Sequence, residues 1–400
     1  MVIAVGRLRT DIDEILPGVI ADRRHLHQHP ELGFQEYETA KFVAERLRSL
    51  GVEEIRTGIA ETGVTGLIRG ARGDGKVVLL RADMDALPID EENEVDYRSR
   101  NPGVMHACGH DAHTAMLLGT TRMLLERRDQ FAGAVKVLFQ PCEESPPGGA
   151  KPMIEAGVMD DPKVDGVFGL HVLQNLPLGR IGVGNGPISA NSDRFRIVLQ
   201  GKGGHGARPE LAVDPIVVGA QVVVALQTLV ARERDPLAPA VVTVGAFHAG
   251  KAPNVIPDSA EMVGTIRTFS ADSRQQITSR IKDLVEGIAS AMRATATVEV
   301  SLGYPSVMND PGMTDVVRAA AAEVVGQQNI IERTPQPGGE DFSYFSLRAP
   351  ASFFYVGTKN DEKGLVWGHH HPKFDIDEEG LAIGIETMTR AVLRYLTPDP

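Results

Sequence analysis

The pattern of apolar and polar positions in the first half of the chain predicts helices that alternate with buried strands. Residues 36–50 carry apolar side chains at helical spacing and stop at Gly51, a residue typical of helix ends. A second helix is predicted over 114–128. Three short apolar runs have the character of buried strands: 76–85, 133–141 and 165–172. This alternation indicates a largely parallel sheet, in which ligands bind at the carboxyl ends of the strands.

The middle of the chain follows a different pattern. From about residue 190 it predicts strand, helix, strand, strand, helix and strand, over 193–200, 213–232, 240–247, 259–268, 271–293 and 295–302. This β-α-β-β-α-β order is the ferredoxin-like arrangement, and turn-forming stretches flank it on both sides. The chain then returns to a helix, a strand and an amphipathic helix, over 312–325, 352–357 and 378–396.

We therefore predict an α/β protein in which a mostly parallel, mixed-sheet domain is interrupted by an inserted ferredoxin-like α+β domain. The first domain is expected to comprise residues 1–188 and 303–400, and the inserted domain residues 189–302. A length of 400 residues agrees with more than one domain, because most domains have about 100–150 residues.

Composition and charge exclude several classes of function. Hydrophobic residues make up 42% and charged residues 24% of the chain, as in ordinary soluble proteins. The formal net charge of -12 argues against nucleic acid as a partner, because phosphate binding needs basic patches. No apolar run approaches the 18–20 or so residues of a membrane span, and the first residues lack a signal-peptide core. Two cysteines, Cys108 and Cys142, form no disulfide framework, so we expect a cytoplasmic protein.

The stretch 105–111 (MHACGHD) contains the strongest candidates for chemistry. Cys108 and His110 are two residues apart, so their side chains point to the same side of an extended segment. A thiolate and an imidazole are both good zinc ligands. The alternative is a buried thiol beside a helix-capping histidine. The neighbouring His106 and His113 are expected to be structural or to support the ligands.

Further candidate ligands follow predicted strands. In the pair Glu143-Glu144, adjacent side chains of an extended segment point apart, so one carboxylate can bind a metal while the other faces a water. We assign Glu144 to the metal and Glu143 to the general base, although the sequence itself leaves that order open. A solvated acidic pair is the alternative. His171 ends an apolar strand and is either a ligand or a core histidine.

The remaining histidines and acids have weaker patterns. At least one member of the run His369-His370-His371 is expected to bind a metal. Asp83 and Asp85 end a strand, and Asp85 is a candidate for orienting a ligating histidine, with strand-end capping as the alternative. The segment 25–31 (HLHQHPE) has the composition of a metal motif. It runs from a helix into a proline turn, so we expect structural packing there.

The inserted domain contributes three polar candidates. His205 lies on a glycine-rich loop, and Asn254 and Arg267 are thirteen residues apart. Arg267 suits bidentate capture of a carboxylate. Taken alone, each of them is more commonly an exposed polar residue. The glycine-rich stretch 337–343 (PGGEDFS) is either part of a pocket or a plain loop.

With these motifs in view, the chain resembles the dinuclear metallo-hydrolase family of aminoacylases and carboxypeptidases. It is most similar to the branch of hippurate hydrolase, N-acyl-amino-acid amidohydrolases and auxin-conjugate hydrolases. The resemblance covers essentially the whole chain, with the motifs in family order: RADMDALP, MHACGHDAHTA, QPCEES, GLHV, GKGGHGARP, APNVIPD, GTIRTF, PGGEDFS and HHHPKFD.

The resemblance implies a catalytic domain, a lid domain and two divalent metal ions per subunit, Zn²⁺ or Mn²⁺, with Co²⁺ or Ni²⁺ also compatible. It implies five metal ligands: Cys108, His110, Glu144, His171 and His370. Glu143 looks like the general base, with Asp85 supporting a ligand. His205 resembles the lid histidine that reaches the partner subunit's active site, and Asn254 and Arg267 resemble lid residues that hold the substrate carboxylate. A homodimer through the lids is therefore expected, with a tetramer as the alternative.

The expected reaction is metal-dependent hydrolysis of the amide bond of N-acyl amino acids. Alternatives within the class are a carboxypeptidase acting on short or N-blocked peptides and an N-acetyl-diaminopimelate deacetylase. A non-catalytic metal-binding relative is the alternative from another class, but the chain retains both the base and the ligands. The chain departs from other branches at Asp83, where they have a metal-binding histidine. It departs from its own branch at Cys142, where a small apolar residue is usual.

Overall fold

The computed structural model describes residues 5–397, which form two compact units. The first unit comprises 5–188, Val307–Thr334 and 341–397, and the second comprises Ser189–Ser306 and Pro335–Glu340. The helices are α1 (Val5–Gln28), α2 (Tyr37–Leu50), α3 (His110–Leu125), α4 (Ala150–Glu155), α5 (Pro215–Ala231), α6 (Ala271–Ala291), α7 (Pro311–Val325), α8 (Ser343–Ser346) and α9 (Glu379–Leu396).

The strands of the first unit are β1 (Arg56–Ile59), β2 (Gly63–Arg69), β3 (Val77–Asp83), β4 (Ala134–Gln140), β5 (Gly166–Pro177), β6 (Ile181–Val183), β7 (Gly186–Pro187), β14 (Met308–Asn309), β15 (Ile330–Glu332) and β16 (Ala351–Lys359). The strands of the second unit are β8 (Asn191–Gln200), β9 (Gly204–His205), β10 (Ala240–Ala249), β11 (Val255–Ile256), β12 (Ser259–Thr268) and β13 (Thr295–Ser301).

The first unit is built on an eight-stranded mixed sheet in the order β1-β2-β4-β3-β5-β16-β6-β15. The central pairs β4·β3, β3·β5 and β5·β16 are parallel, and antiparallel pairs lie toward the edges. Every residue of β3 and β4 is buried, because helices cover both faces of the sheet. The predicted α/β class with a mostly parallel, mixed sheet is confirmed.

Two apolar cores cover the two faces of this sheet. Val78 and Leu80 of β3 join a core with α1, α2, α3, α7 and α9, whereas Val77 and Leu79 join a second core with α4 and α8. Alternate residues of a strand point to opposite faces, so the sheet is packed on both sides. The strands β3, β4 and β5 are thereby held in a fixed register, and their carboxyl ends share one edge.

The predicted helix at 114–128 begins four residues earlier, at His110. The polar residues of its first turn, including His110, Asp111 and His113, are buried. They are satisfied by hydrogen bonds to other polar groups instead of by apolar packing, so apolar spacing did not reveal them. The antiparallel pair β1·β2 was also not predicted, because its strands are short and lack clear alternation.

The second unit has an antiparallel sheet in the order β10-β12-β8-β13, with α5 and α6 packed against it. Counted along the chain, the strand order is 2-3-1-4, which is the ferredoxin-like topology read from the far edge. The predicted β-α-β-β-α-β insertion is therefore confirmed. Within residues 5–397, no helix combines the length and the apolar character needed to span a bilayer.

Candidate metal centre

The carboxyl ends of β3, β4 and β5 bring together the polar residues that the sequence singled out. β3 ends at Asp83, Glu143 and Glu144 follow β4, and His171 lies within β5. The helix α3 begins beside them at His110, directly after Gly109 in a left-handed conformation. Parallel strands place their carboxyl ends at one edge, which is the usual location of ligand sites in α/β proteins.

Two overlapping groups of donor atoms form there. Cys108, His110 and His171 offer a sulfur and two ring nitrogens that lie within 4.8 Å of one another. Cys108 forms a second such group with Glu144 and His370. Cys108 Sγ lies 3.5 Å from His171 Nε2, and His370 Nε2 lies 3.2 Å from Glu144 Oε1. All five predicted ligands therefore converge, and two groups that share one thiol suit two neighbouring ions.

One buried atom of this cluster, His110 Nε2, has no hydrogen-bond partner among the described residues, and it lies 3.9 Å from Glu144 Oε1. Leaving a buried polar atom without a partner costs about 1–3 kcal/mol, and more when the group is charged. Sulfur, nitrogen and carboxylate oxygen together are a donor set that binds zinc and similar cations. The residues present therefore fit a divalent metal ion.

Asp85 orients two members of the cluster. His110 Nδ1 lies 2.9 Å from the backbone oxygen of Asp85 and 3.1 Å from its Oδ1, and the N–H of Glu144 donates to its Oδ2 at 3.0 Å. A proton on Nδ1 leaves the lone pair of Nε2 free to face the other donors. Burial by itself lowers the pKa of His110, but the carboxylates of Asp83 and Asp85 raise it to about 10. This strongly negative environment favours a cation.

His113 forms a further group of close donors with Asp83 and His110, but its ring nitrogens have other partners. Its Nδ1 lies 2.6 Å from Asp83 Oδ1, and its Nε2 accepts the N–H of Val172 at 2.9 Å. Because both ring nitrogens are engaged, His113 supports the site instead of offering a lone pair to it. Arg81 forms a buried ion pair with Asp83 at 2.5 Å and also binds Asp341 at 2.9 Å. His106 is buried as well, and burial lowers its pKa to about 4.

The three consecutive histidines have three different environments. The backbone N–H of His370 donates to the oxygen of Ala107 at 2.8 Å, its φ is 63°, and its ring faces Glu144. His369 Nε2 accepts the N–H of Gln174 at 3.3 Å. His371 stacks on Trp367 with ring centroids 4.3 Å apart. Of this run, His370 is the member that meets the donor groups.

The PGGEDFS stretch, which the sequence left open, and the HLHQHPE segment, where we predicted structural packing, both contribute buried contacts in the first unit. Asp341 of the PGGEDFS stretch is buried and accepts hydrogen bonds from Arg81, Gln140 and the N–H of Ala150, so it ties β3 and β4 to α4. His27 of the HLHQHPE segment is buried between Asp111 and Glu91, at 2.8 and 3.2 Å. Neither residue is among the five converging donors.

The second unit holds its three candidates in two places. β9, which contains His205, pairs with β11, and the N–H of Gly206 donates to the oxygen of Asn254 at 2.8 Å. His205 and Asn254 are therefore neighbours, and both are exposed. Arg267 lies at the far end of β12, eight residues beyond Ser259. At roughly 3.3 Å per residue, Arg267 is about 26 Å along β12 from Ser259. His205 and Asn254 lie beyond the Ser259 end of the strand.

Comparisons with known proteins extend over almost the whole chain. The model of peptidase family M20/M25/M40 matches residues 79–394. The chain is 42% identical over 383 residues to thermostable carboxypeptidase 1 of Saccharolobus solfataricus, covering 95% of this chain and 96% of the relative. It is 42% identical over 363 residues to N-acetyl-L-cysteine deacetylase of Bacillus subtilis, covering 91% and 84%. Among solved structures, a dinuclear metal binding peptidase from the M20 family of Bacillus subtilis matches with a TM-score of 0.84, at 37% identity and with 96% and 99% covered.

Proposed function

The chain belongs to peptidase family M20/M25/M40, and on that premise we propose that it hydrolyses the amide bond of N-acyl amino acids with two divalent metal ions. The observation that carries the proposal is the convergence of five metal-ligand side chains with Glu143 at the carboxyl ends of the parallel strands. The 42% identity to an N-acetyl-L-cysteine deacetylase supports an N-acyl amino acid as substrate. The equal identity to a carboxypeptidase keeps short or N-blocked peptides as the second candidate substrate.

We assign five residues as ligands of the two ions: Cys108, His110, Glu144, His171 and His370. The thiolate favours zinc, and imidazole with carboxylate also suits manganese, cobalt or nickel. We propose Zn²⁺ or Mn²⁺ as the native metal. Both cysteines are free thiols, which supports a reducing, cytoplasmic location.

The proposed chemistry divides the work between the metal ions and the protein. Two divalent ions held by the five ligands would supply Lewis-acid activation of the attacking water. Glu143 is buried beside His110 and Glu144, where its carboxylate takes the proton of the attacking water. It then passes this proton to the nitrogen of the amide as the C–N bond breaks. Proton transfer by a positioned side chain contributes about 10²–10⁴ to the rate.

The lid residues bind the substrate in this proposal. His205 stabilises the tetrahedral oxyanion in the partner subunit's site, a role worth about 3–4 kcal/mol for a single donor. Arg267 and Asn254 both suit a carboxylate, but they lie toward opposite ends of β12, which measures about 26 Å from Ser259 to Arg267. One substrate carboxylate therefore cannot be held by both residues of the same lid. We propose that the two residues acting on one substrate come from two subunits.

A surface of the lid supports a homodimer. Helix α5 has no charged residue, and its Ile216, Val217 and Val224 are exposed. The neighbouring β10 is an edge strand of the lid sheet, with Val241 exposed. An apolar helix face beside an unpaired strand edge is a common site of subunit association. We propose that this surface, α5 with β10, joins two copies of the chain.

A chelation experiment with a substrate panel tests the proposed function. Dialysis against a chelator should abolish hydrolysis of benzoyl-glycine and N-acetyl amino acids, and added Zn²⁺ or Mn²⁺ should restore it. Activity that persists in protein shown to be metal-free would exclude the metal mechanism. Faster cleavage of dipeptides or N-blocked peptides would favour the carboxypeptidase alternative. Faster cleavage of N-acetyl-diaminopimelate would favour that deacetylase.

Mixed dimers test the contribution of His205 across the subunit boundary. His205→Ala and Glu143→Ala homodimers should each be inactive. Reassembly of the two variants together should restore activity, because one site of each mixed dimer combines an intact base with an intact partner histidine. If reassembly of verified mixed dimers restores nothing, the role of His205 in the partner's site is wrong.

A further inference from the structure

Glu36 lies directly before α2, where a side chain ordinarily caps its own helix. The carboxylate of Glu36 makes no such hydrogen bond to α2, and it is completely buried. Its Oε1 accepts the backbone N–H of Cys142 at 2.8 Å, and its Oε2 accepts the hydroxyl of Thr62 at 2.6 Å. The carboxylate therefore joins three distant parts of the chain at one point.

The residue that Glu36 holds has an uncommon backbone conformation. Cys142 has a φ of 49°, in the left-handed region that residues other than glycine rarely adopt. Such a conformation costs about 1–3 kcal/mol and persists only where surrounding contacts impose it. Besides the bond from its N–H to Glu36, the oxygen of Cys142 accepts the N–H of Gly149 at 2.9 Å. A side chain at Gly33 would come within 2.6 Å of Cys142 Sγ, so that glycine makes room for the turn.

This turn is followed at once by Glu143 and Glu144. The N–H of Glu144 donates to Asp85 Oδ2 at 3.0 Å. Two buried carboxylates, Glu36 and Asp85, thus anchor the backbone on either side of Glu143. The direction in which Glu143 and Glu144 leave the turn depends on both anchors, because a change of φ at Cys142 rotates everything that follows.

We propose that Glu36 is a positioning residue, which holds the turn at Cys142 so that Glu143 and Glu144 face the metal centre. It acts through the backbone of Cys142 and touches neither substrate nor metal. The kinetic part of this inference rests on the proposed function. The metal-binding part rests only on the assignment of Glu144 as a metal ligand and is independent of the proposed reaction.

Three variants of Glu36 and one control separate positioning from general stability. Glu36→Ala removes both hydrogen bonds, whereas Glu36→Gln keeps an oxygen for the N–H of Cys142 and an amide for Thr62. Glu36→Asp keeps the charge but withdraws the carboxylate by one methylene. The control, Asp310→Ala, removes a carboxylate that accepts the N–H of Met313 at 2.9 Å and caps α7.

The metal-binding readout is calorimetric titration of each folded apoprotein with Mn²⁺. Glu36→Ala and Glu36→Asp should bind Mn²⁺ about 10-fold more weakly, as is usual when support for a ligand is removed. Glu36→Gln should recover the wild-type affinity, and Asp310→Ala should retain it. Where Glu36→Ala does not fold, Glu36→Asp decides the question, because its shorter carboxylate still suits the position before a helix.

The kinetic readout is the split between kcat and KM on an N-acyl amino acid. Glu36→Ala should lower kcat with KM unchanged, and Glu36→Gln should restore kcat. The inference is overturned if Glu36→Asp has wild-type Mn²⁺ affinity, if Glu36→Gln is as impaired as Glu36→Ala, or if Asp310→Ala loses as much affinity. If the wild type hydrolyses no member of the substrate panel while Glu36→Ala still loses Mn²⁺ affinity selectively, the proposed function fails and the positioning role stands.

Discussion

Hydrogen bonds at Nδ1 orient the rings of His171 and His110 in the candidate metal site. His171 Nδ1 donates to the oxygen of Val172 at 2.5 Å, and this leaves Nε2 directed at Cys108. His110 is held in the same way by Asp85, with Nε2 directed at Glu144. A hydrogen bond on Nδ1 selects the ring form whose Nε2 carries a lone pair. Both rings are therefore oriented with Nε2 toward the other donors of the site.

At this scale the first prediction concerns Glu143. Glu143→Ala should lower kcat by about 10²–10⁴, because the proton of the attacking water loses its acceptor. The five converging donor residues remain, so metal content should be unchanged. Steady-state kinetics and elemental analysis of the same sample check both statements. Wild-type kcat in the variant would refute the assignment of the base.

The second prediction concerns the pH dependence of stability at Glu36. Burial raises the pKa of Glu36 to about 7 against an ordinary value of 4.5, although bonds from Thr62 and Cys142 act in the opposite direction. Asp85 adds a negative charge nearby, and the Cys142 thiol stays neutral because burial raises its pKa to about 12. Between pH 4.5 and 7 the folded state holds a proton that the unfolded state has released. The free energy of unfolding therefore falls as pH rises through this window.

Glu36→Gln removes this titration, since an amide does not ionise. The free energy of unfolding of the variant minus that of wild type should increase by on the order of 3 kcal/mol from pH 4.5 to pH 8. Each unit by which burial raises the pKa of Glu36 contributes about 1.4 kcal/mol to this difference. Urea unfolding of both proteins across this range, at the same metal loading, measures the difference. Two parallel curves would show that Glu36 does not titrate in the folded protein.

At the scale of elements, the start of α3 depends on a buried ion cluster. Asp111 follows His110 in the first turn, and its carboxylate lies 2.8 Å from both Arg23 and His27 of α1. Arg23 is completely buried and also pairs with Asp375 at 2.9 Å. Burial and Arg23 act to lower the pKa of His27, but hydrogen bonds to Asp111 and Glu91 raise it to about 9. The cluster fixes α3 against α1, and with it the position of His110.

Removal of the central charge of this cluster tests its contribution. Arg23→Met should lower the free energy of unfolding by about 3–5 kcal/mol, because it removes the buried cation that pairs with both Asp111 and Asp375. Arg69→Met, which breaks the exposed pair with Glu54, should cost less than about 1 kcal/mol. Urea denaturation at pH 7 compares the two variants. Equal losses would mean that the buried cluster does not hold α3.

At the scale of the whole molecule, the inserted unit differs from the first in what it leaves exposed. The sheet of the first unit is covered on both faces, whereas the lid exposes apolar residues on α5 beside the edge strand β10. Within one lid, Arg267 is far from His205 and Asn254. In the proposed function, one complete site therefore takes these residues from two subunits. Association and activity are therefore expected to be linked.

A charge placed on the lid surface tests this link. Val224 on α5 is 67% exposed, and Val224→Arg should convert the proposed dimer to a monomer with reduced activity and unchanged metal content. Leu347, 62% exposed in the first unit, provides the matched control, since Leu347→Arg should remain dimeric and active. Gel filtration with light scattering gives the mass of each variant. A dimeric Val224→Arg protein would exclude this surface as the interface.

Local patterns predicted much of the fold and of the site. Strands such as 133–141 are recognisable because burial on both faces makes a continuous apolar run, and the order of elements in the insertion follows from their periods alone. Cys108 and His110, and the pair Glu143-Glu144, stand out because their spacing and chemical type suit metal binding. Such features depend only on neighbours in the chain, so they can be predicted from the sequence alone.

Tertiary structure decided what depends on residues far apart. The N–H of His370 bonds to the oxygen of Ala107 and its ring lies beside Glu144, whereas the rings of its two neighbours have other contacts. The ring nitrogens of His113, for which we predicted a structural or supporting role, contact Asp83 and Val172. The link from Glu36 to Cys142 spans 106 positions. Spacing along the chain does not encode which buried groups meet. A buried polar atom without a hydrogen bond is energetically costly, so most buried polar atoms have a partner. Which partner is close enough is determined by the tertiary fold.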